Sequence, residues 1–280
     1  MMEHIQHPGT PATERFTALP CHVQEQPLTL RGGQTLHDAI VAAAADAGID
    51  GAFIELSDTP LARLRYVIPG HDPSGERAAW YSATHEMAPP ARLLQAGLHL
   101  GQRDGEPFLH CHGLWQDRNG TPAMGHLLPQ ESWLEDDVQV TAWRLDGARL
   151  STAYDAETHF PLFTPTQVEA SQVAPNGLLF TLRPNQDLSE AVLAIAAHHG
   201  IRQARLSGLG SLVGTTFTDG TRITSHATEV LILDGQLNQG ELSIRLASVG
   251  INGHHHSATL ASGRNSVCVT AELLLHSHNS

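Results

Sequence analysis

Two hydrophobic rhythms alternate along this 280-residue chain, and each occurs twice. Leu36, Ala39, Ile40, Ala43 and Ala44 follow the spacing of one buried helix face, and Leu188, Ala191, Val192, Ile195 and Ala196 do the same. Thr35 and Asp187 stand at N-cap positions, with Asp38 and Glu190 three residues later, and Gly48 and Gly200 fall where a helix C-cap belongs. After each helix the period shortens to two, with β-rich runs separated by Gly, Asn and Asp. The first set of strands is expected near 52–56, 63–68, 91–99, 107–115, 126–128 and 137–145. The second is expected near 204–208, 212–217, 229–235, 241–250, 255–260 and 266–275.

The two segments read as copies of one unit. Laid on each other without gaps, Thr29–Ala52 and Thr181–Ala204 are identical at 12 of 24 positions at a constant offset of 152. One helix followed by a run of strands predicts an α+β fold, with two tandem copies of a mostly antiparallel sheet and one main packed helix on each. The expected divisions are a loosely ordered leader at 1–27, a first unit at 28–150, a linker at 151–174 and a second unit at 175–280. The leader and linker readings rest on Pro-bearing polar stretches without a sustained period.

Composition narrows the function classes. The net charge is −13, there is no lysine, and all 16 basic residues are arginine, a balance that disfavours a phosphate backbone as partner. Three widely spaced cysteines suggest no disulfide framework and favour a reducing, cytoplasmic setting. The N-terminus carries no signal-type apolar core and no run is long enough to cross a membrane, so a soluble protein is expected.

The chemistry concentrates between Leu109 and Leu128. His110 and His112 are two apart in an apolar run, so on a strand both point to one face and Cys111 to the other. Asn119-Gly120 signals a turn that would return His126 beside them. Three imidazoles with a position left open are the ligand pattern of a catalytic zinc, and another divalent transition metal would suit the same set. When the repeat is carried through the strands, His126 falls opposite His255, while Arg245 and Ala247 stand where His110 and His112 would be. The second copy is therefore expected to have lost two of three ligands.

The His-x-His strand at 110–112, the turn and Gly125-His126-Leu127 resemble the plant and prokaryote conserved (PPC) domain, as does Gly208-Leu209-Gly210-Ser211-Leu212. The resemblance covers roughly 28–150 and 175–276 and implies two tandem copies, a homotrimer and a metal on the three histidines. Plant members bind AT-rich DNA through a separate Arg-Gly-Arg-Pro hook that is absent here. The first copy departs at Leu56-Ser57-Asp58-Thr59-Pro60 and carries an insertion around 69–82.

Around that centre, His85 and Glu86 are the candidates for a fourth ligand or general base. Arg63 and Arg65, alternating on an apolar strand, are candidates to hold a substrate carboxylate. His254, His255 and His256 are a weaker metal candidate or a loan to a site across an interface. His276 and His278 read as a frayed tail, and Cys111 and Cys268 as core residues. The resulting expectation is a metal-dependent enzyme of hydrolase or lyase type acting on a small oxygen-rich or carboxylate substrate. The alternatives are a metal or metabolite sensor without turnover and, less favoured, a DNA-binding regulator.

Overall fold

In the computed structural model, residues 3–169 and 173–277 are described. The first half runs β1 (Phe16–Leu30), α1 (Leu36–Asp46), β2 (Ala52–Arg63), β3 (Arg65–Val67), β4 (Ala91–Arg103), β5 (Glu106–Gln116), β6 (Pro122–Leu127) and β7 (Val138–Asp146). A hairpin of β8 (Ala148–Tyr154) and β9 (Pro161–Gln167) follows. The second half runs β10 (Gly177–Leu182), α2 (Leu188–His198), β11 (Gln203–Leu212), β12 (Thr228–Asn238), β13 (Glu241–Gly250), β14 (His255–Thr259) and β15 (Val267–His276).

The pairing order is β1-β7-β2-β4-β5-β6-β3 in the first half. In the second it is β10-β15-β11-β12-β13-β14. β1 joins them: Phe16–Cys21 pairs with β10, and His22–Leu30 pairs with β7. With the two-residue strands at Trp133–Leu134 and His85–Glu86 included, the described residues form one connected sheet of 17 strands. Its only parallel link among the described residues is Ser151 to Gln102.

The expected α+β class is corrected by this architecture: the described residues are mostly β, with two helices of 11 residues each among them. The helices do form, because their caps satisfy the first turn. Thr35 accepts from Asp38 N at 3.0 Å, and Asp187 Oδ1 accepts from Ser189 N and Glu190 N at 3.0 Å. Each helix covers only one face of its strands, however. The opposite faces cover each other, so most of the packing is sheet on sheet.

The burial pattern shows this division. α1 places Leu36, Ala39, Ile40 and Ala44 against Ile54, Leu98 and Trp115, and α2 places Leu188, Val192 and Ile195 against Phe180, Leu206 and Leu273. A third cluster joins Phe53 and Leu145 of the first half to Leu179 and Leu274 of the second. A fourth joins Ile68 and Met124 to Leu231, Ala247 and Val249. Removing this area from water contributes on the order of 25 cal/mol per Å², so the two inter-half clusters hold the halves as one body.

Three further expectations are corrected. Most of the presumed leader is ordered: 16–27 lies within β1, and upstream of it Gly9 N donates to Glu157 O at 2.9 Å while His7 is buried. The presumed linker contains the end of β8 and the whole of β9, which pair from Ala148–Gln167 to Tyr154–Pro161. The prolines suggested a linker, but β9 pairs with β8 alone, and an edge strand tolerates a missing N–H. His276 belongs to β15, is buried and packs on Trp143 at 4.4 Å between ring centroids, whereas His278 lies outside the described residues. Among the described residues no helix is long and apolar enough to cross a membrane.

Candidate metal centre

The hairpin β5–β6 forms as its residues dictate. Asp117 Oδ1 accepts from Asn119 N at 2.8 Å and Thr121 N at 2.9 Å, and Gly120 takes φ +80°, which suits glycine. The register then sets His112 directly opposite His126 and Gly113 opposite Gly125. Because β5 alternates, His110 and His112 share the face that His126 joins, and Cys111 turns into the core beneath α1. One donor atom from each of the three imidazoles lies within 4.8 Å of the others.

Two of the rings are oriented from behind, and the supports come from the other half of the chain. His110 Nδ1–H donates to Glu272 Oε2 at 2.7 Å, and His112 Nδ1–H donates to Val230 O at 2.8 Å. These bonds leave both Nε2 atoms inward, 3.2 Å apart. Two ligands about 2.0–2.1 Å from a tetrahedral ion stand roughly 3.3 Å apart, so the spacing fits a metal pair. Glu229 Oε2 lies 2.9 Å from His112 Nε2, within hydrogen-bond distance. His126 Nδ1 is buried without a hydrogen-bond partner. Three imidazoles, one adjacent carboxylate and an orphaned ring nitrogen fit a divalent transition metal.

The electrostatics suit ligation. Burial lowers His110 to about 3, with His112 adding to the effect, and burial likewise holds His126 well below its ordinary value. Both are therefore neutral donors at pH 7. Burial would lower His112 as well, but Glu229 outweighs it and the net shift is upward. Glu272 is buried to 2% exposure, which pushes its carboxyl up to about 7.

His110, His126, Glu229 and Glu272 open onto a cavity of about 100 Å³. Its outer wall comes from the insertion around 69–82, through Trp80 and Tyr81, and from the β8–β9 hairpin, through Phe160 and Phe163. Tyr81 stands edge-on to His126 at 5.1 Å.

The other sequence candidates lie elsewhere. Glu86 pairs with Arg63 at 2.9 Å and with Arg65 at 3.4 Å, and Arg65 also pairs with Glu131. His85 stacks on Tyr66 at 5.2 Å between centroids. None of His85, Glu86, Arg63 and Arg65 lines the cavity. Arg63 ends β2, Arg65 opens β3, and His85 and Glu86 pair with β3 in a two-residue strand, so that opposite charges neutralise one another there. His256 pairs with Asp219 at 2.8 Å, also away from the centre.

Glu229 and Glu272 are the functional candidates that sequence reading passed over. Their signal is an acid inside an apolar strand, Thr228-Glu229-Val230-Leu231-Ile232 and Ala271-Glu272-Leu273-Leu274-Leu275. A carboxylate in such a run is costly unless something pairs with it.

No protein-family model matches the chain, and no curated protein matches it. Among solved structures, it is similar to a metal-containing protein from Archaeoglobus fulgidus, at 23% identity and TM-score 0.41, over 55% of this chain and 99% of that one. A plant- and prokaryote-conserved (PPC) protein from Pyrococcus horikoshii matches at 17% identity and TM-score 0.39, over 56% of this chain and 100% of that one. A protein from Ralstonia eutropha JMP134, described as a candidate DNA-binding protein, matches at 16% identity and TM-score 0.40, over 50% of this chain and 94% of that one. Likeness at this level assigns neither family nor activity.

Proposed function

We propose that the chain binds a divalent transition metal, zinc first, on His110, His112 and His126, and uses it as an enzyme of hydrolase or lyase type on a small oxygen-bearing substrate. The observation that carries this reading is the convergence of three imidazoles, with Nδ1 of His110 and of His112 held from behind, at a place where His110 and His126 open onto a cavity. Glu229 lies beside His112 at the edge of the position the three imidazoles leave open. A divalent ion held there supplies Lewis acidity toward a substrate oxygen.

The chain's own residues do the rest. Glu272 orients His110 through the 2.7 Å bond and, with its carboxyl near neutrality, can hold or release a proton at Oε2. Trp80 and Phe160 wall the cavity and limit water around the reacting atoms. The assembly belongs to the same reading as a homotrimer, which light scattering tests against the 30.1 kDa of a single chain.

Metal analysis of the purified protein beside His112→Ala and His126→Ala is the direct test. About one ion per chain is expected in the wild type and less than about a tenth of that in either variant. Equal metal in all three would overturn the reading.

A further inference from the structure

Arg103 closes one side of the cavity, and nothing in the metal reading uses it. It ends β4, opposite Glu106 across the tight turn at Asp104-Gly105. Its guanidinium carbon lies 3.5 Å from the centroid of Phe108, a close cation–π stack that fixes the plane of the group. Its Nε is buried and has no hydrogen-bond partner. Among the described residues no carboxylate lies within ion-pair distance of it, although most arginines here have one. The two acids of the cavity, Glu229 and Glu272, are committed to His112 and His110.

An oriented, partly desolvated guanidinium without a counter-charge is a costly arrangement in a folded chain, and an anion entering the cavity would relieve it. Arg103 lines the same cavity as His110 and Tyr81. The floor adds hydroxyl groups from Ser211 and Thr270, suited to a second oxygen. Size narrows the ligand further. A cavity of about 150 Å³ admits benzene, so the 100 Å³ here admits about four to six heavy atoms.

We propose that the cavity binds a small carboxylate, of the size of glycolate, lactate or oxalate, with its carboxylate paired to Arg103 and its remaining oxygen toward the metal centre. Arg103 is thereby a specificity residue. The inference rests on the metal-site reading for the second oxygen, but the Arg103 pairing is tested separately from it.

The test is calorimetric titration of the full chain, of measured metal content, with glycolate, lactate and oxalate beside the neutral amides glycolamide and lactamide. At least one acid should bind, and its amide should not. Arg103→Met should weaken the acid at least tenfold while metal content and melting temperature stay those of the wild type. Arg103→Lys, which keeps the charge and loses the fork, should bind with intermediate affinity and keeps the test informative if the methionine variant fails to fold. The proposal is overturned if no acid binds at about 10 mM, if an amide binds as well as its acid, or if Arg103→Met or Arg103→Lys binds as the wild type does. A chain that held no metal and still bound the acids through Arg103 would defeat the metal reading and leave this pairing standing.

Discussion

The β5–β6 hairpin and the β13–β14 hairpin occupy matching places in their halves, yet one carries the three facing histidines and the other has no histidine at the matching positions. Counting from the turns that pair Arg103 with Glu106 and Asn238 with Glu241, His110 and His112 correspond to Arg245 and Ala247. His112 faces His126, but Ala247 faces Ser257. The sequence-based pairing of His126 with His255 is therefore two residues out, because the second hairpin is four residues shorter than the first and not the six which that pairing requires. His255 faces Val249 instead. What the second half contributes is the acids: Glu229 on β12 and Glu272 on β15 reach the first half's rings. Two halves with like strand order thus divide one site between them, imidazoles from one and carboxylates from the other.

The largest effect should follow from trying to erase that difference. Ala247 is fully buried in the cluster with Met124, Leu231 and Val249. An imidazole there overpacks the joint between the halves and has no partner for its ring nitrogens. Ala247→His should therefore cost about 3 kcal/mol or more, read by denaturant unfolding. The triple change with Arg245→His and Ser257→His should not add a second ion per chain. A stable protein holding two metals would show that the halves are interchangeable after all.

What the residues made legible was local. Helix caps, the His-x-His alternation and the Asp117–Thr121 turn are decided within a few neighbours, and each forms where its spacing places it. What stayed hidden was decided across more than a hundred residues. β1 reads as a polar leader because its pairing partners lie in β7 and β10, one in each half. Glu272 reads as one acid in a leucine-rich strand until His110, 162 positions earlier, is placed beside it. Arg63 and Arg65 had the right chemistry for a carboxylate, but Glu86 and Glu131 satisfy it first.

A smaller effect sharpens the comparison at the joint itself. Gly97 on β4 meets the second half without a side chain: a Cβ there would lie 2.6 Å from Phe53 Cζ and 2.8 Å from Leu231 Cδ1. Gly97→Val should destabilise by about 1–3 kcal/mol. Measured as a shift of the denaturant midpoint, a neutral result would mean that the halves pack less tightly than this contact requires.

The smallest effect separates two arginines at equivalent places, Arg31 and Arg183. Arg31 pairs with Asp137 at 2.8 Å in the open, with side chains 75% and 53% exposed. Arg183 pairs with Asp155, and Arg15 holds Glu157 at 2.7 Å, with both acids nearly buried. Burial alone would raise Asp155 and Glu157, but the arginines and the donors of Thr158 and Ala12 outweigh it, so both titrate below their ordinary values of 3.8 and 4.5. Depressed carboxyls bind fewer protons folded than unfolded. Their stabilisation is complete above about pH 5 and is lost as pH falls through the folded values. Arg183→Met should cost about 1–2 kcal/mol at pH 7 and flatten the fall in melting temperature from pH 5 to pH 3, while Arg31→Met should change neither. If the two variants gave the same acid limb, the buried cluster beside β8–β9 would hold no more than its exposed counterpart does, and the asymmetry between the halves would be confined to the metal centre.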